Sequence, residues 1–344
     1  MLSFGKRSFI LKLKEIGEFG FIDRIAPLGS LRSEGVVKGI GDDCAVISIG
    51  GPDYLLVTTD LLVERVHFLV HWGPPEVLGA KVLTANLSDI AACGGTPRDA
   101  FISLAIPEEI DLEWLDGLYR GMADLARTID VNLLGGDTTG SKTDFVINVA
   151  LTGLVPANEV LLRHNARADD IIVLTGRTGE SAAGLEILLG GRAMPGEVAG
   201  SLVAAHLEPR AHLREGRLLA QSGACTAAID VSDGLSSDLG HICRDSGVGA
   251  IVREEQLPIG ETLCRAAEIL GKDPLDWVLD GGEDYVLLAA VEPGSLQGLQ
   301  KQFEEEGRHL FTIGQFVAAP KMELVRADGS SQDLIPRGWD HFRP

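Results

Sequence analysis

The sequence predicts a mixed α/β (α+β) chain of two domains, and three observations predict it. Its 344 residues suit two cores of ordinary size better than one. Apolar runs of strand length alternate with helical patterns through most of the chain. The pattern is interrupted between Gly153 and Arg163, where Pro156-Ala157-Asn158 marks the expected boundary.

The elements follow in order. Tyr54 to Thr59 reads as a strand ending on Asp60, and Pro74-Pro75 opens a helix that Gly94-Gly95 stops. Leu112 to Ile129 carries Leu115, Leu118, Met122, Leu125 and Ile129 on one helical stripe. Val131 to Leu134 is a short strand expected to break at Gly135-Gly136-Asp137, and Asp144 to Thr152 alternates like a half-buried strand. Ile171 to Thr175 is a strand leading to a helix from Ser181 to Leu189, and 190–200 reads as loop. Further strands are expected at Cys225 to Ile229, Tyr285 to Val291 and Phe311 to Phe316, with a helix from Leu235 to Asp245.

Composition removes several classes of function. Lys+Arg 30 against Asp+Glu 50 gives a formal charge of -20, which leaves no surplus of cations to replace phosphate counterions. A nucleic-acid partner is therefore not expected. No run approaches 18 apolar residues, so no membrane span is expected, and Phe9-Ile10-Leu11 is too short a core for a signal peptide. Five cysteines without a Cys-x-x-Cys pair point to a reducing, cytoplasmic setting.

The motifs of P-loop enzymes, protein kinases, serine hydrolases, zinc proteases and Rossmann dehydrogenases are all absent. Carboxylates beside Gly, Ser or Thr recur instead: Gly41-Asp42-Asp43, Thr58-Thr59-Asp60, Asn86-Leu87-Ser88-Asp89, Gly136-Asp137-Thr138, Asp230-Val231-Ser232-Asp233 and Gly282-Glu283-Asp284. Any one alone is more often a turn or helix cap. As a set they match what Mg²⁺ requires, oxygen ligands with positions left open for substrate phosphates. An acidic chain can thus hold ATP, because metal ions bridge the two negative partners.

With these residues assembled, the chain resembles the thiamine-monophosphate kinase family, within the aminoimidazole ribonucleotide synthetase-like superfamily. The resemblance rests on GIGDDCAV (39–46), TTDLLVERVHF (58–68), AKVLTANLSDIAACGGTPRDA (80–100), LLGGDTT (133–139), TGRTGESAAGL (175–185), AIDVSDGLSSDLGHI (228–242), LDGGEDY (279–285) and the closing Gly338-Trp339-Asp340-His341-Phe342. It implies phosphorylation of thiamine monophosphate by ATP with several Mg²⁺ ions and no catalytic base or phospho-enzyme, in a homodimer. It also implies an N-terminal ATP/Mg-binding and dimerisation domain over residues 17–153, a C-terminal domain over 154–344 that completes the site, and an extension over 1–16 that is disordered or reflects a misplaced start codon.

Carried over residue by residue, the resemblance places metal on Asp43, Thr58, Thr59, Asp60, Asp89, Asp137, Asp230 and Asp233. It places nucleotide on Tyr119, Gly136, Asp137, Arg163 and Ser232, and thiamine phosphate on His67, Glu283 and Trp339. Trp339 would offer a face to the thiazolium or pyrimidine. Glu283 would either complement the thiazolium charge or bond the aminopyrimidine. Cys93 and the segment Arg163-His164-Asn165-Ala166 depart from the family pattern, and neither is expected to touch the acids, so a mild effect on packing or loop shape is the most that follows. The rivals are another ATP-dependent synthetase of the superfamily, acting on a ribonucleotide amide, and a non-catalytic divalent-cation-binding dimer.

Overall fold

The computed structural model describes residues 12–29, 32–190 and 194–342. The first half contains α1 (Leu13–Gly29), β1 (Val36–Lys38), β2 (Ala45–Ser48), β3 (Asp53–Val63), α2 (Pro75–Ala92), β4 (Thr96–Pro107), α3 (Leu112–Thr128), β5 (Asn132–Ser141) and β6 (Val146–Pro156). Its sheet has the order β1-β2-β3-β6-β4-β5, antiparallel except for the β4–β5 pair.

Residues 1–11 of the expected extension lie outside the described residues, whereas Leu13 to Ile16 belong to α1, which kinks at Gly17. The expected boundary at 153/154 falls inside β6, which stays paired with β3 as far as Pro156. Strict alternation builds β6: Ile147, Val149, Leu151 and Val155 are buried against the helices while their neighbours face outward. That outer face of the sheet exposes Leu61 (54%) and Phe101 (40%).

Two strands run longer than expected. β3 continues past Asp60 to Val63 because β6 pairs with it along its whole length, so Asp60 sits within a strand and not at its end. β5 continues through Gly135-Gly136 because β4 pairs beside it, with a register shift at that point. Gly136 is needed there: its φ is +146° and a Cβ would lie 1.5 Å from the Ile102 carbonyl oxygen.

The second half contains β7 (Ile171–Leu174), α4 (Glu180–Leu188), α5 (Gly196–Leu207), α6 (Leu213–Ser222), β8 (Cys225–Asp230), α7 (Leu235–Ser246), β9 (Gly249–Arg253), α8 (Glu261–Leu270), α9 (Pro274–Asp280), β10 (Leu287–Val291), α10 (Leu296–Glu305), β11 (Phe311–Val317), β12 (Met322–Val325) and β13 (Ser331–Asp333). Their order is β13-β12-β9-β11-β7-β10-β8, with only β9–β12 parallel. The mixed class expected from sequence is therefore realised chiefly with antiparallel pairing. Within the expected loop, residues 191–193 lie outside the described residues and Gly196 onward is helix α5. Pairing of β10 starts at Leu287 and not at Tyr285, because Glu283 and Tyr285 both have positive φ, which breaks the strand.

Helix α2 is the seam. Pro75 at its first turn costs no helical hydrogen bond, and most of its length is buried. It packs on the first sheet, while Ala91 and Ala92 join the core formed by Leu219, Ala228, Leu287 and Phe303 of the second half. Gly216 permits the approach of α6, since a Cβ there would lie 2.2 Å from the Ala91 carbonyl oxygen.

Candidate active site

Both halves deliver carboxylates to the seam. Asp43 comes from the loop before β2, Asp60 from β3, Asp89 from the last turns of α2, and Asp230 from the end of β8. Carboxylate oxygens of Asp43, Asp89 and Asp230 lie within 4.8 Å of one another. The Thr58 hydroxyl donates a hydrogen bond to Asp89 Oδ2, and the Ser232 hydroxyl donates to Asp230 Oδ1 at 3.3 Å. Arg163 pairs with Asp43, and Lys38 stands 3.4 Å from Asp42.

These acids share a poor environment for charge. Burial raises Asp43 to about 6, against the pull of Arg163, and raises Asp60 to about 6 with the Asp43 charge adding to it. Asp230 reaches about 8 through burial and Asp43, and Asp89 is pushed well above the carboxylate range by burial and then by Asp60, Asp230 and Asp43. Asp233 is raised to about 7 by burial and by Glu18. Among the described residues, Asp43 Oδ2 and Asp230 Oδ2 are buried without a hydrogen-bond partner. Buried, crowded, unpartnered carboxylate oxygens are the donor set a hard divalent cation takes. The residues fit Mg²⁺.

Of the expected metal positions, the structure groups Asp43, Asp60, Asp89 and Asp230, with Thr58 attached. Thr59 points away from this group: it is exposed and accepts a hydrogen bond from Asn148 Nδ2 at 2.9 Å. Asp233 lies close to Asp238 and His241, two buried residues that sequence reading missed although both stand inside the quoted 228–242 motif. Asp137 is not brought to the acids. Sheet register puts Asp60, Val149, Ile102 and Gly136 in one row, so Gly136 is three strands, or about 14 Å, from Asp60. Gly136, Asp137 and Tyr119 are all exposed, and no hydrogen bond or ion pair among the described residues links them to the acids.

The departures from the family pattern lie closer to the acids than expected. The Cys93 thiol groups with Asp42 and Asp43 within 4.8 Å, and His164 Nδ1 is 4.0 Å from Asp42 Oδ2.

The three expected substrate residues do converge. The Val63 N–H donates to His67 Nδ1 at 2.9 Å, so the neutral ring carries its proton on Nε2. The His67 ring lies 5.0 Å from His341, which stands edge-on to Trp339 at 5.7 Å and accepts from the Trp339 indole N–H at 3.1 Å. Burial, and then His341, lowers the His67 pKa. Trp339 is anchored from behind, its N–H donating to the Asp233 carbonyl at 2.9 Å.

Glu283 occupies a strained position with φ of +62°, its N–H donating to the Ser232 carbonyl at 2.7 Å. Its Oε2 accepts from Lys81 Nζ at 3.0 Å and lies 3.4 Å from His206 Nδ1. Neither Lys81 nor His206 was singled out as a site residue by sequence reading.

The two halves that jointly surround the carboxylate cluster belong to the AIR synthase related class, each being matched by a family model. Residues 41–155 match the AIR synthase related protein, N-terminal domain, and residues 167–326 match its C-terminal domain. The thiamine-monophosphate kinase of Escherichia coli (strain K12) is 36% identical over 327 residues, covering 95% of this chain and 98% of that one. That of Bacillus subtilis (strain 168) is 32% identical over 329 residues, covering 95% and 99%. A solved structure of AaThiL complexed with AMPPCP and TMP superposes with a TM-score of 0.85 at 33% identity, covering 97% of this chain and all of that one. The chain belongs to the thiamine-monophosphate kinase family.

Proposed function

We propose that the chain transfers the γ-phosphoryl group of ATP to the phosphate of thiamine monophosphate, giving thiamine diphosphate and ADP. The observation that carries this reading is the meeting of Asp43, Asp89 and Asp230, from both halves, beside the convergent His67, Glu283 and Trp339.

The acceptor is already an anionic phosphate oxygen, so the reaction needs positioning and charge neutralisation and no general base. Asp43, Asp60, Asp89 and Asp230, with Asp233 nearby, would hold Mg²⁺. Bound there, the ion supplies neutralisation of polyphosphate charge and alignment of donor with acceptor. The separation of Asp137 from that group supports several ions along the polyphosphate, not one. Arg163 adds a fixed cation beside Asp43, and Tyr119, Gly136 and Ser232 are assigned to the nucleotide. Trp339 and His341 present ring faces to the thiamine, and His67 offers an Nε2 proton to an acceptor.

The open sheet face with Leu61 and Phe101 supports a homodimer formed through it. Phe101→Glu is expected to convert the dimer to a monomer in sedimentation velocity; an unchanged coefficient moves the interface elsewhere. Among the described residues no helix is long and apolar enough to cross a membrane, and no cysteine is paired, which supports a cytoplasmic setting.

Purified protein supplied with Mg-ATP and thiamine monophosphate is expected to form ADP and thiamine diphosphate in equal amounts. No product from that acceptor, with turnover on formylglycinamidine ribonucleotide, would replace this reading with the synthetase one.

A further inference from the structure

We propose that Lys81 is a positioning residue that, held in place by the neutral His206, neutralises Glu283 from within the protein, leaving Glu283 Oε1 to accept a hydrogen bond from the substrate's neutral aminopyrimidine and not to balance its cationic thiazolium. The inference rests on the thiamine-monophosphate reading and deepens it.

The network is built from three separate elements. Lys81 lies on α2, eight residues before Asp89, and is 2% exposed. Its Nζ donates to Glu283 Oε2 at 3.0 Å and contacts His206 Nε2 at 3.2 Å. An ammonium has protons and no lone pair, so His206 Nε2 is the acceptor and the ring proton resides on Nδ1. From Nδ1 it faces Ser181 Oγ at 3.1 Å and Glu283 Oε2 at 3.4 Å. Trp72 closes the ring edge-on at 5.9 Å.

The charges in this network balance. Burial would push Glu283 up, but Lys81 and His206 outweigh it and hold the carboxyl below its usual value. Burial, followed by Lys81, drives His206 down to about 4, so that ring is neutral at pH 7. One cation therefore faces one anion. A buried lysine with a single buried carboxylate partner would be costly to keep otherwise. All the described contacts of the Glu283 carboxylate fall on Oε2. The side chain is 23% exposed and its backbone is strained, so Oε1 is the part offered to a ligand.

A carboxylate whose charge is already matched 3.0 Å away has little long-range attraction left for a thiazolium. It remains a strong acceptor for an N–H. The 4-amino group of the pyrimidine is such a donor, and its 4-oxo analogue is not.

The test compares thiamine monophosphate with 4-oxo (oxythiamine) monophosphate, by turnover and by calorimetric titration without ATP. The unaltered protein must first turn over thiamine monophosphate; failure there removes the kinase reading itself. With that established, the unaltered protein is expected to prefer the amino compound by about 100-fold or more, as sites built around a hydrogen bond do. Lys81→Met is expected to raise KM for thiamine monophosphate at least tenfold, leave KM for ATP within twofold, and shrink the amino-over-oxo preference tenfold. Lys81→Arg is expected to restore part of that preference. Should Lys81→Met fail to fold, Glu283→Gln and the double variant Lys81→Met/Glu283→Gln carry the test. The double variant swaps the ion pair for a neutral pair and is expected to bind thiamine monophosphate at least as well as Glu283→Gln, in which the buried lysine has lost its partner. A double variant that binds thiamine monophosphate tenfold more weakly than Glu283→Gln, or an amino-over-oxo preference below threefold in the unaltered protein, overturns the proposal.

Discussion

The two ends of helix α2 treat buried charge in opposite ways. At its C-terminal end Asp89 faces Asp43, Asp60 and Asp230, and Arg163 is the cation paired within that group. Eight residues earlier, Lys81 meets Glu283 one against one, with a neutral histidine completing the contact. An excess of like charge is tolerable only where a multivalent counter-ion belongs, whereas a balanced pair serves to fix geometry. The first end suits metal and polyphosphate, the second the organic part of the acceptor.

The largest effect expected from this contrast comes from Asp230→Asn. Loss of one buried ligand removes several kcal/mol of charge stabilisation, so kcat/KM should fall roughly 10³-fold. The fold should persist, and above pH 8, where Asp230 is ionised, the metal-free protein should melt higher than the unaltered one because a like-charge contact is gone. A melting point unchanged by the substitution would show that Asp230 is not under repulsion.

The next effect concerns pH. Asp43, Asp60, Asp233 and Asp230 are raised to between about 6 and 8, and each contributes stability while protonated. That contribution is present below the unfolded carboxylate range and lost as pH climbs through the folded values. Without metal, the melting temperature should therefore drop between pH 5.5 and 8.5, by about 2–4 °C for each 1 kcal/mol lost. Mg²⁺ should flatten this slope. A metal-free melting point that rises over the same interval would contradict the crowding.

The smallest effect lies at the substrate end. Trp339→Ala should raise KM for thiamine monophosphate about tenfold, within the range of a stacked cation, and leave KM for ATP nearly unchanged. Equal changes in both would make Trp339 a structural anchor.

What sequence reading could see follows from range. Asp43, Asp60, Asp89 and Asp230 were visible because each stands in a short run with Gly, Ser or Thr neighbours, and local chemistry marks them. The strand break expected at Gly135-Gly136 did not occur, since a paired neighbour keeps β5 extended whatever its intrinsic preference. The start of helix α5 was missed because Gly196 and Gly200 read as loop, while burial of Val198 and Leu202 decides the matter. Lys81 and Glu283 are 202 residues apart, and no local pattern announces that a lysine on an apolar helix has a distant carboxylate to meet.

Helix α2 also works as a gauge. Lys81 and Asp89 belong to one rigid rod, and eight residues at 1.5 Å each separate them by roughly 12 Å along its axis. A molecule that engages both ends must span that length. Acceptors shortened between ring and phosphate are expected to reach one end or the other, and to turn over poorly for that reason.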